Sequence, residues 1–128
     1  MEFIEPIELM DRPHLVDIWY NGCINSEKGY RDMMALGATA QEARALLNNS
    51  LKTEIRVSMN LRSLRNFLEL RCAKNAHTHI KELTIPLLFM LKEKIPGIFD
   101  DIPWDKTFEN KYLSEDRWRE YFPDEMNK

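Results

Sequence analysis

No apolar run in this 128-residue chain approaches the roughly 20 residues that cross a bilayer, so a membrane span is not expected. Glu2, Glu5 and Glu8 make the N-terminus acidic and unlike a secretion signal. Basic residues are not in excess. Eighteen Lys and Arg face 21 Asp and Glu, for a net charge of −3 and a pI near 5.6, which argues against a general nucleic-acid binder. Cysteine is scarce: Cys23 and Cys72 have no metal-ligand spacing and fit free thiols in a reducing, cytoplasmic setting better than a disulfide. His77 and His79, two positions apart on a helix, would point to nearly opposite sides, so no metal site is expected. There is no repeat, low-complexity segment or linker before residue 96. The length suits one domain over 1–128 with a modest core.

The fold class expected is α+β and mainly helical, with one central strand region at about 53–59 packed with long helices. Met1 to Leu9 reads as extended, with Phe3, Ile4 and Ile7 apolar. Asp11 is placed to cap a helix whose first turn accepts Pro13 and which runs to Leu36, with Gly37 ending it. Gly22 and Gly29 weaken that helix at two points. Thr39-Ala40-Gln41-Glu42 is a capping box that starts a short helix carrying Ala43 to Asn48. In Thr53-Glu54-Ile55-Arg56-Val57-Ser58-Met59, Ile55, Val57 and Met59 alternate with Glu54, Arg56 and Ser58, the period of a strand. A helix follows at about 61–72. A longer one begins near Ala76 and continues to about Lys94, kinked at Pro86 and stopped by Pro96-Gly97. Residues 96–128 form an acidic, aromatic tail with a short helix at Ser114 to Phe122, whose Trp104, Trp118, Tyr121 and Phe122 suit docking onto a surface.

The helix at 61–72 carries most of the chemistry. At about 100° per residue, Arg62, Asn66, Glu69 and Leu70 share one side, while Leu61, Leu64, Leu68 and Cys72 line a core-facing stripe. Arg71 projects beside that stripe, roughly 180° from Arg62. An arginine there is costly to desolvate unless it meets an anion or a carboxylate. The helix therefore reads as serving two polar sites, and in isolation a buried carboxylate partner for Arg71 is the plainer alternative. Asn60 fits an N-cap, and Arg65 and Glu69 an i,i+4 pair on a solvated face.

Asn60-Leu61-Arg62-Ser63-Leu64-Arg65-Asn66-Phe67-Leu68-Glu69-Leu70-Arg71, following Thr53-Glu54-Ile55-Arg56-Val57, resembles the flavin-dependent thymidylate synthases. Gln41-Glu42-Ala43-Arg44-Ala45-Leu46-Leu47 with Thr53-Glu54 resembles that family's Glu-x-Ala-Arg-x-x-Leu-Pro-x-x-x-x-Thr-Glu segment. The resemblance runs over about residues 30–95. It implies reductive methylation of deoxyuridylate (dUMP) to thymidylate (dTMP), with methylenetetrahydrofolate supplying the carbon, reduced FAD the hydride, and NADPH re-reducing the flavin. It also implies that Arg71 is the catalytic arginine against the uracil ring, where it promotes ionisation at N3, and that Arg44 binds the nucleotide. Asn60, Leu61, Arg62 and Asn66 would contact the flavin. The family's homotetramer shares sites between subunits, and no cysteine nucleophile is required.

The sequence departs from the family at several positions. Asn48 stands where the family has proline, Gln41 where it has an acidic residue, and Asn75 where some members have histidine. His77 and His79 replace a common Gln and Glu. The family's earlier Arg-His-Arg-x-x-Ser-x-Asn-Glu-x-Ser-x-Arg motif has no counterpart here. The chain thus reads as a C-terminal half of such an enzyme, active when a complementary N-terminal chain supplies that motif. Alternatives are a non-catalytic nucleotide-binding or modulating subunit, and a decayed helical remnant.

Overall fold

The computed structural model describes residues 1–113, and the chain divides into two compact units, Met1–Arg56 and Val57–Lys128. The expected helix at Ser114 to Phe122, and with it Trp118, Tyr121 and Phe122, lies outside the described residues.

The first unit is organised by α1 (Pro13–Ala35). Pro13 occupies the first helical position, where its missing N–H costs nothing and its fixed φ suits the helix. The N-cap is Arg12 rather than Asp11, and the Arg12 guanidinium turns back to donate to the Glu8 carbonyl at 2.8 Å. Gly37 ends the helix at φ +95°, a conformation open to glycine and strained for other residues. The Thr39–Glu42 capping box forms as expected and starts α2 (Ala40–Ala43). The chain then tightens into a 3₁₀ turn at Arg44–Leu46 instead of continuing to Asn48. The cause is local: the Asn48 side-chain oxygen Oδ1 accepts from the Ser50 N–H at 2.9 Å, a turn that competes with helix.

That turn lies close to α1. The Ser26 hydroxyl donates to the Leu46 carbonyl at 2.6 Å, and a Cβ on Gly29 would stand 2.9 Å from the Leu46 side chain. Cys23 and Ala43 are buried, the Asn48 amide reaches Cys23 Sγ at 3.5 Å, and Trp19 Nε1 donates to Ser50 Oγ at 3.0 Å. The N-terminal stretch is extended only in part. Phe3 bridges Leu51 in antiparallel fashion, and Ile7–Leu9 closes into a 3₁₀ turn.

The second unit packs α3 (Leu61–Arg71), α4 (Thr78–Lys94) and α5 (Lys106–Tyr112). α3 packs on α4, and Leu68 and Cys72 from the α3 stripe, Ile85 and Leu88 from α4, and Phe99 and Ile102 from the connection to α5 are each fully or almost fully buried. Pro86 is accommodated inside α4 and is itself buried, although it removes the N–H that would bond the Glu82 carbonyl. The Thr84 hydroxyl, also buried, donates its one proton towards the carbonyls of Arg71 (3.0 Å) and Ile80 (2.9 Å), tying the end of α3 to α4.

The central strand is not present. Among the described residues there is one isolated bridge and no strand, and residues 52–60 are exposed throughout. The 53–59 pattern is that of a strand, but a strand needs a hydrogen-bonding neighbour, and no described segment runs beside it. The fold is therefore mainly helical.

A buried ion pair joins the parts of the second unit. Lys81 Nζ lies 3.0 Å from Asp105 Oδ2, with both side chains 8% exposed, and also donates to the Lys74 carbonyl at 3.2 Å. The other Asp105 oxygen caps α5 by accepting from the Thr107 and Phe108 N–H groups, and the Asp105 N–H donates to the Cys72 carbonyl. Burial by itself raises the Asp105 carboxyl. The Lys81 ammonium and the Phe108 and Thr107 amides outweigh it and hold the group below its ordinary 3.8.

Two outcomes follow for stability. Asp105 contributes stability that is complete above its ordinary 3.8 and is lost as the pH falls through that value and below. Asp105→Ala, which leaves Lys81 buried and unpaired, should cost about 3–5 kcal/mol in urea unfolding at neutral pH. Gly22, with open space around the position of a Cβ, should give a Gly22→Ala variant about 0.5–1 kcal/mol more stable, read as a higher thermal midpoint.

Candidate functional site

The start of α3 is built by Asn60. Its backbone is extended (φ −76°, ψ 167°), and its side-chain oxygen accepts the Ser63 N–H at 2.8 Å, satisfying one of the four free donors of a helix start. The Leu61 and Arg62 N–H groups have no acceptor among the described residues. Arg62 and Asn66, one turn apart, are exposed and have no side-chain partner there. Two backbone donors, a guanidinium and an amide thus face outward together. The combination suits an acceptor-rich or anionic ligand.

Arg71 closes the same helix. Its backbone carbonyl is held by Thr84, while its guanidinium is exposed and unpartnered among the described residues. A cation in the last turn is favoured by the helix dipole. Nine positions after Arg62, it stands about half a revolution away, as expected. Among the described residues no buried carboxylate partners it.

Arg65 departs from expectation. Its guanidinium grips the Asp101 carboxylate with two hydrogen bonds, at 2.7 and 2.8 Å, and also donates to the Ile98 carbonyl, whereas Glu69 is 3.5 Å away. It is a clamp on the loop after α4, and it holds the Asp101 carboxyl below its usual range. Of the three α3 arginines, one is committed to the fold and two have no side-chain partner among the described residues.

Arg44 lies in the first unit, exposed at the start of the Arg44–Leu46 turn. In isolation a surface partner such as Glu42 or Gln41 would be the plainer reading of Arg44; the Glu42 carboxylate is engaged in the capping box, accepting from the Thr39 N–H and hydroxyl at 2.8 Å. Arg44 has no side-chain partner among the described residues. Arg44 thus lies in the first unit, and Asn60, Leu61, Arg62, Asn66 and Arg71 lie in the second.

Cys72, next to Arg71, is fully buried, and burial pushes its thiol up against the opposing hydrogen bond of Thr84. His77 is the N-cap of α4, its Nδ1 accepting from the His79 N–H at 3.2 Å. Because His77 is a cap and not a helical residue, the two rings meet edge to face at 5.1 Å rather than pointing apart. Among the described residues no three His, Cys, Asp or Glu side chains gather as metal ligands would, and no helix is long and apolar enough to cross a membrane.

Two features were not legible from sequence alone. Asp105 before Lys106-Thr107-Phe108 is an N-cap signal that marks α5, but its pairing with Lys81, 24 positions earlier, leaves no local trace. Trp104 packs edge to face on Phe89 at 5.3 Å under the Lys92 ammonium at 4.0 Å, so the docking expected of the tail aromatics is seen for this one.

The exposed donors of α3 are guanidinium, amide and backbone N–H groups, a set suited to binding and polarising a ligand. Asn60 is the N-cap that holds the first turn of α3. Asn60→Ala should cost about 1 kcal/mol in chemical denaturation, while Asn60→Asp, which keeps the cap, should restore most of it.

The sequence model of the thymidylate synthase complementing protein family matches residues 1–97. A flavin-dependent thymidylate synthase of Thermosipho melanesiensis is 34% identical over 93 residues, covering 73% of this chain and 41% of the relative. That of Geobacter sulfurreducens is 39% identical over 72 residues, covering 56% and 31%. That of Corynebacterium diphtheriae is 36% identical over 75 residues, covering 59% and 27%. The chain thus spans well under half the length of these curated relatives. No solved structure matches it.

Proposed function

The chain belongs to the thymidylate synthase complementing protein family, and on that premise we propose that it forms part of a flavin-dependent thymidylate synthase, binding deoxyuridylate through Arg71 and Arg44. The observation that carries this reading is the unpartnered Arg71 guanidinium at the exposed end of α3, on a helix where Arg65 is already committed to Asp101. A charged group left free beside a packed core is where a ligand oxygen gains most from a fixed donor.

In this reading Arg71 donates to a carbonyl oxygen of the pyrimidine. A guanidinium there stabilises negative charge growing on the ring without giving up a proton. Arg44 binds the nucleotide. At the other end of α3 the Leu61 and Arg62 N–H groups, the Arg62 guanidinium and the Asn66 amide form a donor set that fits the acceptor-rich edge and phosphates of FAD. Asn60 keeps those donors aligned by capping the first turn. Bound FAD, reduced by NADPH, supplies the hydride for the methylation of dUMP to dTMP, with methylenetetrahydrofolate as carbon donor. Opposed placement of Arg62 and Arg71 suits a homotetramer, in which one helix serves two neighbouring sites. A complementary N-terminal chain would complete them.

A flavin absorbance scan of the purified chain, followed by titration with dUMP, tests the reading. Bound FAD with a spectrum shifted by dUMP is expected when the complementary half is co-expressed, together with tritium release from labelled dUMP. Arg71→Ala should abolish the dUMP response and shift the thermal midpoint only slightly, since the side chain has no partner among the described residues and loses only its interaction with the helix dipole. A verified complex that binds neither ligand would overturn the assignment.

A further inference from the structure

The turn that leaves α3 is held by its backbone, while the side chain at its start is not held. The last carbonyls of a helix have no intrahelical donor and must find partners elsewhere. Here four in a row do. The Arg71 carbonyl accepts from the Thr84 hydroxyl at 3.0 Å and that of Cys72 from the Asp105 N–H at 2.9 Å. That of Ala73 accepts from the Ala76 N–H at 3.0 Å, and that of Lys74 from the Lys81 ammonium at 3.2 Å. Three of these donors come from outside the turn, two from α4 and one from the residue that caps α5. The Arg71 guanidinium is exposed and has no partner among the described residues.

Among these donors Thr84 is the one that its own helix does not call for. Threonine is not a favoured residue in a helix interior. Thr84 is fully buried and is followed by Ile85 and Pro86, which are buried too. A hydroxyl in such a place needs an acceptor, and the Ile80 carbonyl, one turn back at 2.9 Å, already provides one. The other acceptor, the Arg71 carbonyl, is 13 positions earlier and belongs to α3. Sharing the proton with it serves α3 rather than α4: the peptide that follows Arg71 is referred to the neighbouring helix.

We propose that Thr84 is a positioning residue for Arg71, fixing through the Arg71 carbonyl the backbone from which the guanidinium reaches its ligand. The assignment rests on the reading that Arg71 takes the pyrimidine of dUMP. A side chain on a fixed base has less freedom to lose on binding, and a displaced donor serves a reacting ring poorly. Valine has nearly the shape of threonine without the hydroxyl. Thr84→Val therefore removes the donor to Arg71 and keeps the volume, whereas Thr84→Ser keeps the donor and gives up a methyl group.

Titrations of dUMP and of FAD into the chain with its complementary half, for wild type and both variants, test it together with backbone ¹⁵N relaxation of the chain alone. Thr84→Val should weaken dUMP by about threefold to tenfold. FAD affinity should stay unchanged, because the donors proposed for the flavin stand at the other end of α3. Thr84→Ser should restore dUMP. In the chain alone, the Cys72 N–H shares a peptide plane with the Arg71 carbonyl. It should lose order in Thr84→Val and regain it in Thr84→Ser, while the Ser63 N–H, bonded to the Asn60 side chain, keeps its order. A threonine that matters only for stability would lower the thermal midpoint and affect both ligands alike or neither. Wild-type dUMP affinity in Thr84→Val, equal losses of dUMP and FAD, or an unmoved Cys72 amide would overturn the positioning role and leave the enzymatic reading standing. A wild-type complex that takes up no dUMP would overturn both.

Discussion

The second unit depends on the buried pair of Lys81 and Asp105. A lysine and an aspartate are costly to remove from water, and the cost is met only because every nearby polar group is used: the Lys74 carbonyl by Lys81, and the Thr107 and Phe108 amides by Asp105. The same aspartate fastens the end of α3 through the Cys72 carbonyl. One residue therefore starts α5 and pairs with Lys81 of α4 through its side chain, and through its backbone N–H anchors the helix that presents Arg62 and Arg71. Thr84 and Arg65 complete the anchorage by holding the Arg71 carbonyl and the loop at Asp101.

With α3 held this way, its exposed face is free to be chemical. Arginine suits such a face because it keeps its charge at any working pH and presents donors in a fixed plane. Burial of Cys72 beside Arg71 removes the nearest thiol from competition. The site is thus one of fixed donors on a rigid helix, consistent with a family whose relatives are named for a flavin.

Local signals in the sequence were read well where the structure is local. The Thr39–Glu42 capping box, the Asn60 cap, the entry at Pro13 and the stop at Gly37 each rest on backbone chemistry within a few residues. The candidate site was legible as residue types on one helix, Asn60 to Arg71. Its sorting into free and committed arginines was not, because Arg65 meets Asp101 36 positions later. The strand at 53–59 shows the opposite limit. Alternation describes what a segment is suited to, whereas a strand exists only beside another, and the described residues provide none.

The central claim is that Arg71 and Arg44 are free to take a nucleotide while Arg65 is not. Arginine side-chain ¹⁵N–¹H spectra recorded as dUMP is added to the chain in complex with its complementary half test this directly. The Arg71 and Arg44 Nε signals should move with a common saturation curve and that of Arg65 should stay in place. Movement of Arg65 alone, or of no arginine signal at saturating dUMP, would contradict the account.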